Sequence, residues 1–319
     1  MAPAISIHEL TKDYPVGFWR KRPYRALDRL TLDVQPGEVF GFLGPNGAGK
    51  TTTLKLLMQL VYPTSGEAKI LGRPVGDLDV RRRIGYLPEN PYFYDNLTAE
   101  ELLGYFAALF DMPASQRKPR VSALLDEVGL GAERRMQLRK YSKGMVQRVG
   151  IAQALVNDPE VVFLDEPMSG LDPLGRRDIR ALILRLRDAG KTVFFSSHIL
   201  SDAETLCSRV AIVAGGRLAA SGRLTEMTGY EVRGWEVVMA GVAPELLARV
   251  TDRVVRATPV SDRKYTFELP KDARPEPFVA ELAAGGAELV SASPLHTTLE
   301  EVFVQQVRKT ASAREGALT

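Results

Sequence analysis

Val39-Phe40-Gly41-Phe42-Leu43-Gly44-Pro45-Asn46-Gly47-Ala48-Gly49-Lys50-Thr51-Thr52 joins an apolar run to a glycine-rich turn that closes on Lys-Thr. The run Val39-Phe40-Gly41-Phe42-Leu43 reads as a buried strand, and residues 50–60 carry the apolar spacing of the helix that follows. Between them, Gly-x-x-x-x-Gly-Lys-Thr is the spacing of a phosphate-binding loop, which sits where that pattern must lie, after a strand and opening a helix. Glycines let the backbone close on phosphate with its N–H groups turned inward. Gly44, Pro45, Asn46, Gly47, Ala48 and Gly49 are therefore the candidate cradle, with Lys50 reaching the terminal phosphates. Thr51 offers its hydroxyl to Mg²⁺, and Thr52 belongs to the same helix start.

Moving outward, Val161-Val162-Phe163-Leu164, Val193-Phe194-Phe195-Ser196 and Val210-Ala211-Ile212-Val213 read as further buried strands. Helical spacing over residues 99–110, 117–128, 143–157, 175–189 and 201–207 alternates with them. That rhythm predicts an α/β domain with a largely parallel sheet and a helical insert. At the end of its strand, Asp165-Glu166 places two carboxylates where open α/β sheets gather their ligands. Asp165 is the candidate Mg²⁺ holder and Glu166 the candidate that polarises an attacking water.

Beyond residue 228 the texture changes to βαββαβ, with strands expected at 235–239, 253–257, 265–269 and 287–291. This predicts a small α+β domain of ferredoxin-like order over residues 229–319, after a first domain over 1–228. A last helix at 298–308 carries Leu299, Val302, Phe303 and Val307 on one face and is expected to pack, with a frayed tail beyond Lys309.

The segment Lys140-Tyr141-Ser142-Lys143-Gly144-Met145-Val146-Gln147-Arg148 narrows the choice among phosphate-loop proteins. Here the chain resembles the ABC (ATP-binding cassette) ATPases, whose signature is usually Leu-Ser-Gly-Gly-Gln followed closely by Gln-Arg. The remaining family motifs follow in order between about residues 5 and 227: Ser169-Gly170-Leu171-Asp172-Pro173, Ser196-Ser197-His198, and Tyr14 ahead of the phosphate loop. The resemblance implies an ATPase using ATP and Mg²⁺ and working as a dimer. It implies that Ser142 and Gly144 contact ATP held by the opposite subunit and that Asp172 lies in the loop linking the two sites. It further implies that His198 contacts the γ-phosphate and that an aromatic stacks on adenine. Ser142 is a good helix cap, and free N–H groups at a helix start attract anions, which agrees with that role.

The chain departs from the family pattern in places. The extended Phe18-Trp19-Arg20-Lys21-Arg22-Pro23-Tyr24 leaves Tyr14, Trp19 and Tyr24 all open as the stacking ring. Glu89 stands where the family generally has a glutamine that senses Mg²⁺ and the transport partner, and a glutamate can bind Mg²⁺ as well. Lys143 and Met145 replace glycine and glutamine of the signature. Glu89, the signature form and Leu299-Glu300-Glu301-Val302-Phe303 resemble the ATPase subunits of bacterial ABC-2 type exporters. The implied partners are a second ATPase subunit and an integral membrane permease, with no nucleic acid. The permease would dock through Pro91-Tyr92-Phe93-Tyr94 and residues 97–110, whose aromatics serve equally well as core.

Bulk properties fit this reading. A net charge of +3 over 319 residues is too weak a field to single out nucleic acid or an anionic membrane as partner. Cys207, alone of its kind, is expected to be structural in a reduced compartment. No stretch approaches the ~20 apolar residues needed to span a bilayer. The expected place is the cytoplasmic face of the membrane, reached through the permease. A soluble ABC ATPase acting on ribosome or DNA, and a non-hydrolysing regulatory subunit, are the alternatives; absent tandem loops and heptads speak against the first, Glu166 and His198 against the second.

Overall fold

β1 (Ile5–Val16) and β2 (Arg22–Val34) form a long antiparallel hairpin, in register from Ile5↔Val34 to Val16↔Arg22 with bulges between. The computed structural model describes residues 2–17, 22–229 and 232–315, so the expectation for Trp19 lies outside the described residues. β3 (Val39–Leu43) is buried throughout and feeds α1 (Lys50–Leu57) through the phosphate loop. β4 (Ser65–Ile70) and β5 (Arg73–Pro74) then complete an antiparallel sheet of order β2-β1-β4-β5. This sheet was not anticipated from periodicity, because β4 reads Ser-Gly-Glu-Ala-Lys-Ile and buries only Ala68 and Ile70.

After α2 (Leu78–Arg82) comes β6 (Ile84–Leu87), and the chain then leaves the sheet for the helical insert. α3 (Ala99–Leu109) begins with a reciprocal cap in which the Thr98 hydroxyl accepts from Glu101 N while the Glu101 carboxylate accepts from Thr98 N. α4 (Ala114–Glu127) and α5 (Lys143–Ala154) complete the insert, and Ser142 caps α5 by accepting from Met145 N at 3.3 Å. The chain returns through β7 (Val161–Asp165), α6 (Pro173–Asp188), β8 (Thr192–Ser197), α7 (Leu200–Leu206), β9 (Arg209–Ala214) and β10 (Arg217–Arg223).

These strands form a six-stranded sheet of order β10-β9-β3-β8-β7-β6, parallel except for β10. β3 lies inside it, between β9 and β8, so the phosphate loop leaves its carboxyl end beside the ends of β8 and β7. Phe40, Phe42 and Phe163 surround Phe194 with ring centroids 5.7, 5.2 and 5.7 Å away. All four rings are fully buried. At roughly 1.5–3 kcal/mol for each such side chain, this cluster is a main anchor of the strands that carry the site.

The chain divides into two compact units, Met1–Leu224 with Phe303–Thr319, and Thr225–Val302. α8 (Leu224–Thr228) lies at the division. The second unit contains β11 (Val232–Ala240), α9 (Pro244–Val250), β12 (Arg256–Ser261), β13 (Lys264–Pro270), α10 (Pro275–Ala284) and β14 (Glu288–His296). Its antiparallel order β12-β13-β11-β14 is that of a ferredoxin-like sheet.

The strand expected at 253–257 is displaced: residues 251–253 make a short 3₁₀ turn and β12 starts at Arg256. The tight turn at Asp262-Arg263, with Arg263 at φ 52°, pairs Ser261 with Lys264 and so sets the register of β12. Pro259 is tolerated there because β12 is an edge strand. α11 (Leu299–Glu315) runs past the expected end at residue 308, with Leu299 buried and Val302, Phe303 and Val307 half-buried.

Candidate functional site

The phosphate loop is shaped by contacts that exclude other residues. Gly49 has φ 106° and a side chain there would come within 2.8 Å of the Ala26 carbonyl, so the hairpin of β1 and β2 presses on the loop where only glycine fits. Lys50 is folded back and buried. Its ammonium donates to the Gly44 carbonyl at 2.8 Å and the Pro45 carbonyl at 3.4 Å, and lies 3.1 Å from Glu166 Oε1.

Glu166 follows β7 in a left-handed conformation, φ 48°, which is costly for a non-glycine residue and is held by its surroundings. The turn separates the two carboxylates. Ser196 fixes both: its hydroxyl accepts from Glu166 N at 3.0 Å and donates to Asp165 Oδ1 at 2.6 Å. The second carboxylate oxygen of Glu166 lies 2.8 Å from His198 Nδ1. Since a carboxylate only accepts, that contact needs the proton on Nδ1.

Asp165 is 1% exposed. Burial is the main reason its carboxyl is held above the usual range; the Ser196 and Thr51 hydroxyls act in the opposite direction, while Glu89 and Glu166 add to the rise. Its Oδ2 is buried without a hydrogen-bond partner. Tyr86 of β6 feels the same place: its phenol is pushed up to about 12, first by burial and then by the charge of Asp165.

A cleft of about 490 Å³ unites Tyr14, Asn46, Gly47, Ala48, Gly49, Lys50, Thr51, Thr52, Glu89, Glu166 and His198 with Tyr24, Ala26 and Ser169. Gly44 and Pro45 enter through the carbonyls that hold Lys50. Ser142, Gly144 and Asp172 are not part of this cleft. Ser142 is exposed at the start of α5, and Asp172 caps α6 by accepting from Gly175 N at 2.6 Å. The role of Ser196 was not read from the sequence. A hydroxyl closing an otherwise apolar strand beside Asp165-Glu166 was the available signal.

A second groove of about 350 Å³ lies between β6 and the insert, lined by Tyr86, Pro91, Tyr92, Phe93, Phe106 and Phe110 among others. Tyr92 is 95% and Tyr94 68% exposed, so these aromatics are surface rather than core. Among the described residues, no helix is long and apolar enough to cross a membrane.

The chain is similar to known ATP-binding proteins. Residues 27–169 match the ABC transporter family. An uncharacterized ABC transporter ATP-binding protein of Synechocystis is 46% identical over 310 residues, spanning 97% of this chain and 86% of the relative. The bacitracin transport ATP-binding protein of Bacillus licheniformis is 41% identical over 68% of this chain and 69% of its own length. The Nod factor export ATP-binding protein I of Cupriavidus metallidurans is 34% identical over 88% and 91%. Among solved structures, a dimeric post-hydrolysis state of an ATP-binding cassette bound to ADP and Pi superposes with TM-score 0.63 at 28% identity, covering 69% of this chain and 98% of that one.

Proposed function

This chain belongs to the ABC transporter ATP-binding proteins, and from that premise we propose that it is the ATP-hydrolysing subunit of an exporter, acting as a dimer on a separate membrane permease. The observation that carries the reading is the buried Lys50–Glu166 pair joined to the exposed His198 in the lining of the phosphate-loop cleft. Phosphate entering the loop offers Lys50 a stronger partner than Glu166, which frees Oε1 for the attacking water. His198 holds the other carboxylate oxygen in place from the wall of the cleft. Proton acceptance by Glu166 and charge stabilisation by Lys50 and the loop N–H groups are what this chain supplies to hydrolysis.

Mg²⁺ fits the residues present. The unpartnered Oδ2 of Asp165 is the natural anchor, with Thr51 and Glu89 beside it. No cage of three or more His, Cys, Asp or Glu exists among the described residues, which suits an ion bound by one or two carboxylates and by substrate phosphates. When bound, Mg²⁺ neutralises charge on the terminal phosphates.

Ser142 and Gly144 are proposed to complete the cleft of a second copy, with Asp172 in the loop between the two sites, and the groove beside Tyr92 to receive the permease. The site thus lies at the cytoplasmic face of the membrane. Residues 1–228 are proposed as the ATPase domain, since the cleft residues all precede Ile199, and 229–319 as an accessory domain. Mixing tests the shared site: Lys50→Ala and Ser142→Arg subunits should each be inactive alone, but together they would form one dimer site with both halves intact. ATP-driven dimerisation, and some hydrolysis, should return on mixing. Hydrolysis linear in concentration and indifferent to Ser142→Arg would overturn the reading.

A further inference from the structure

Asp202, in the first turn of α7, is a buried carboxylate that the hydrolytic set does not use. It is 1% exposed and incompletely paired. Oδ1 lies 3.3 Å from Arg180 Nη1 of α6, whereas Oδ2 is buried without a hydrogen-bond partner. Such an arrangement is a poor stabiliser, because desolvation offsets the attraction and an apolar residue of similar shape would serve the core as well.

What the pair does fix is position. α7 starts two residues after His198, and no side chain caps it, since Ile199 stands at the cap position. The turn that carries His198 is closed on itself: Ser197 Oγ accepts from Ile199 N at 2.9 Å and donates to the Ile199 carbonyl at 3.3 Å. Arg180 therefore ties α6 to a point four residues beyond His198. Arg176 lies one turn before Arg180 on the same face of α6, and its Nε donates to the Leu171 carbonyl at 3.2 Å. The two arginines thus join the segment ahead of α6 to the start of α7. The charges agree with this proximity. Burial holds the Asp202 carboxyl above its usual range, Arg180 and Arg176 pull it down, Glu166 pushes it up and His198 lowers it.

We propose that Asp202 is a positioning residue for hydrolysis, which through Arg180 fixes the turn that aims His198 Nδ1 at Glu166 and ties that turn to residues 169–172. Asp202 lines no part of the cleft, so it acts through His198 and not on the nucleotide. This rests on the reading of the cleft as the ATP site.

Asp202→Asn in the full chain keeps the shape and removes the charge. Single-turnover hydrolysis should slow roughly 10- to 100-fold, the scale on which a displaced catalytic group acts, while ATP affinity by calorimetry stays within about twofold of wild type. A second readout needs no hydrolysis. The chain has three histidines, so long-range ¹H–¹⁵N correlation spectra of the neutral rings report His198 directly, with His198→Ala giving the assignment. Its proton should sit on Nδ1 in the wild type and be shared between both nitrogens in Asp202→Asn. An Nδ1 proton retained in the variant, or a rate loss matched by a loss of ATP affinity, would overturn the proposal. Should thermal melts show Asp202→Asn unfolded, Arg180→Gln cuts the same tie from its more exposed end with the same two expectations, and Arg180→Lys should restore most of the rate. A full rate in Arg180→Gln overturns the proposal as well. A wild-type chain that hydrolyses no ATP, with the His198 ring still responding to Asp202→Asn, would sink the ATPase reading instead, with the tie itself upheld.

Discussion

α1 and α5 both begin at motifs suited to anions, yet the two helix starts are built in opposite ways. At α1 the first residue, Lys50, is 7% exposed and locked between loop carbonyls and Glu166, with the ends of β7 and β8 around it. At α5 the cap Ser142 and the following Lys143 are exposed, and no acidic residue softens the positive helix end in its first turn. A lysine at that position opposes the helix dipole, which costs a few tenths of a kcal/mol to about 1 kcal/mol unless an anion arrives. The difference teaches that one helix start is finished within the chain and the other is presented outward, as the proposed two-half site requires.

The largest expected break in this contrast is at the finished half. Glu166→Gln should slow single-turnover hydrolysis by roughly 10²–10⁴-fold, the range for loss of a general base. ATP affinity should hold or rise, since the carboxylate that competes for Lys50 in the empty cleft loses its charge. A single-turnover rate close to wild type would remove Glu166 from its role.

A smaller and more selective effect belongs to the outward half. Ser142→Arg should leave ATP affinity of dilute, monomeric chain unchanged, because Ser142 is no part of that cleft, while ATP-driven dimerisation measured by light scattering is lost. Weakened ATP binding in the monomer would erase the distinction between the two helix starts.

How much of this was legible follows from what each feature constrains. The loop from Gly44 to Thr51 and the strand before it were readable because a phosphate cradle dictates residue types at fixed spacing, and β3 occupies Val39–Leu43 as expected. The exposed half was readable only through resemblance, since a serine cap followed by lysine has no local pattern of its own. Less visible were contacts made by distance in sequence. Ser196 bridging Asp165 and Glu166, and Arg180 meeting the buried Asp202 at 3.3 Å, depend on how β7, β8, α6 and α7 come together. β12 was misplaced because Val254-Val255 looked more strand-like than Pro259, whereas the turn at residues 262–263 decides register.

The smallest effect concerns the segment that joins the two halves. Ser169 lines the cleft, Leu171 lies near Gly144, and the Lys143 side chain covers Gly170, whose φ is 67°. A β-carbon at Gly170 would collide with the Lys143 ammonium, but that is the mobile end of an exposed side chain and can move aside. The backbone angle cannot be relieved in the same way. Gly170→Ala should therefore cost about 1 kcal/mol, the usual penalty for a side chain in the left-handed region, and lower Tm by roughly 2–4 °C. Lys143→Ala distinguishes the two causes by a double-mutant cycle in denaturant melts. If strain dominates, the loss from Gly170→Ala is the same with and without Lys143, and the outward helix start is only resting on the segment. A loss that disappears in the Lys143→Ala background would instead show that lysine and glycine are packed as a unit. The start of α5 would then be anchored to the cleft rather than merely displayed beside it.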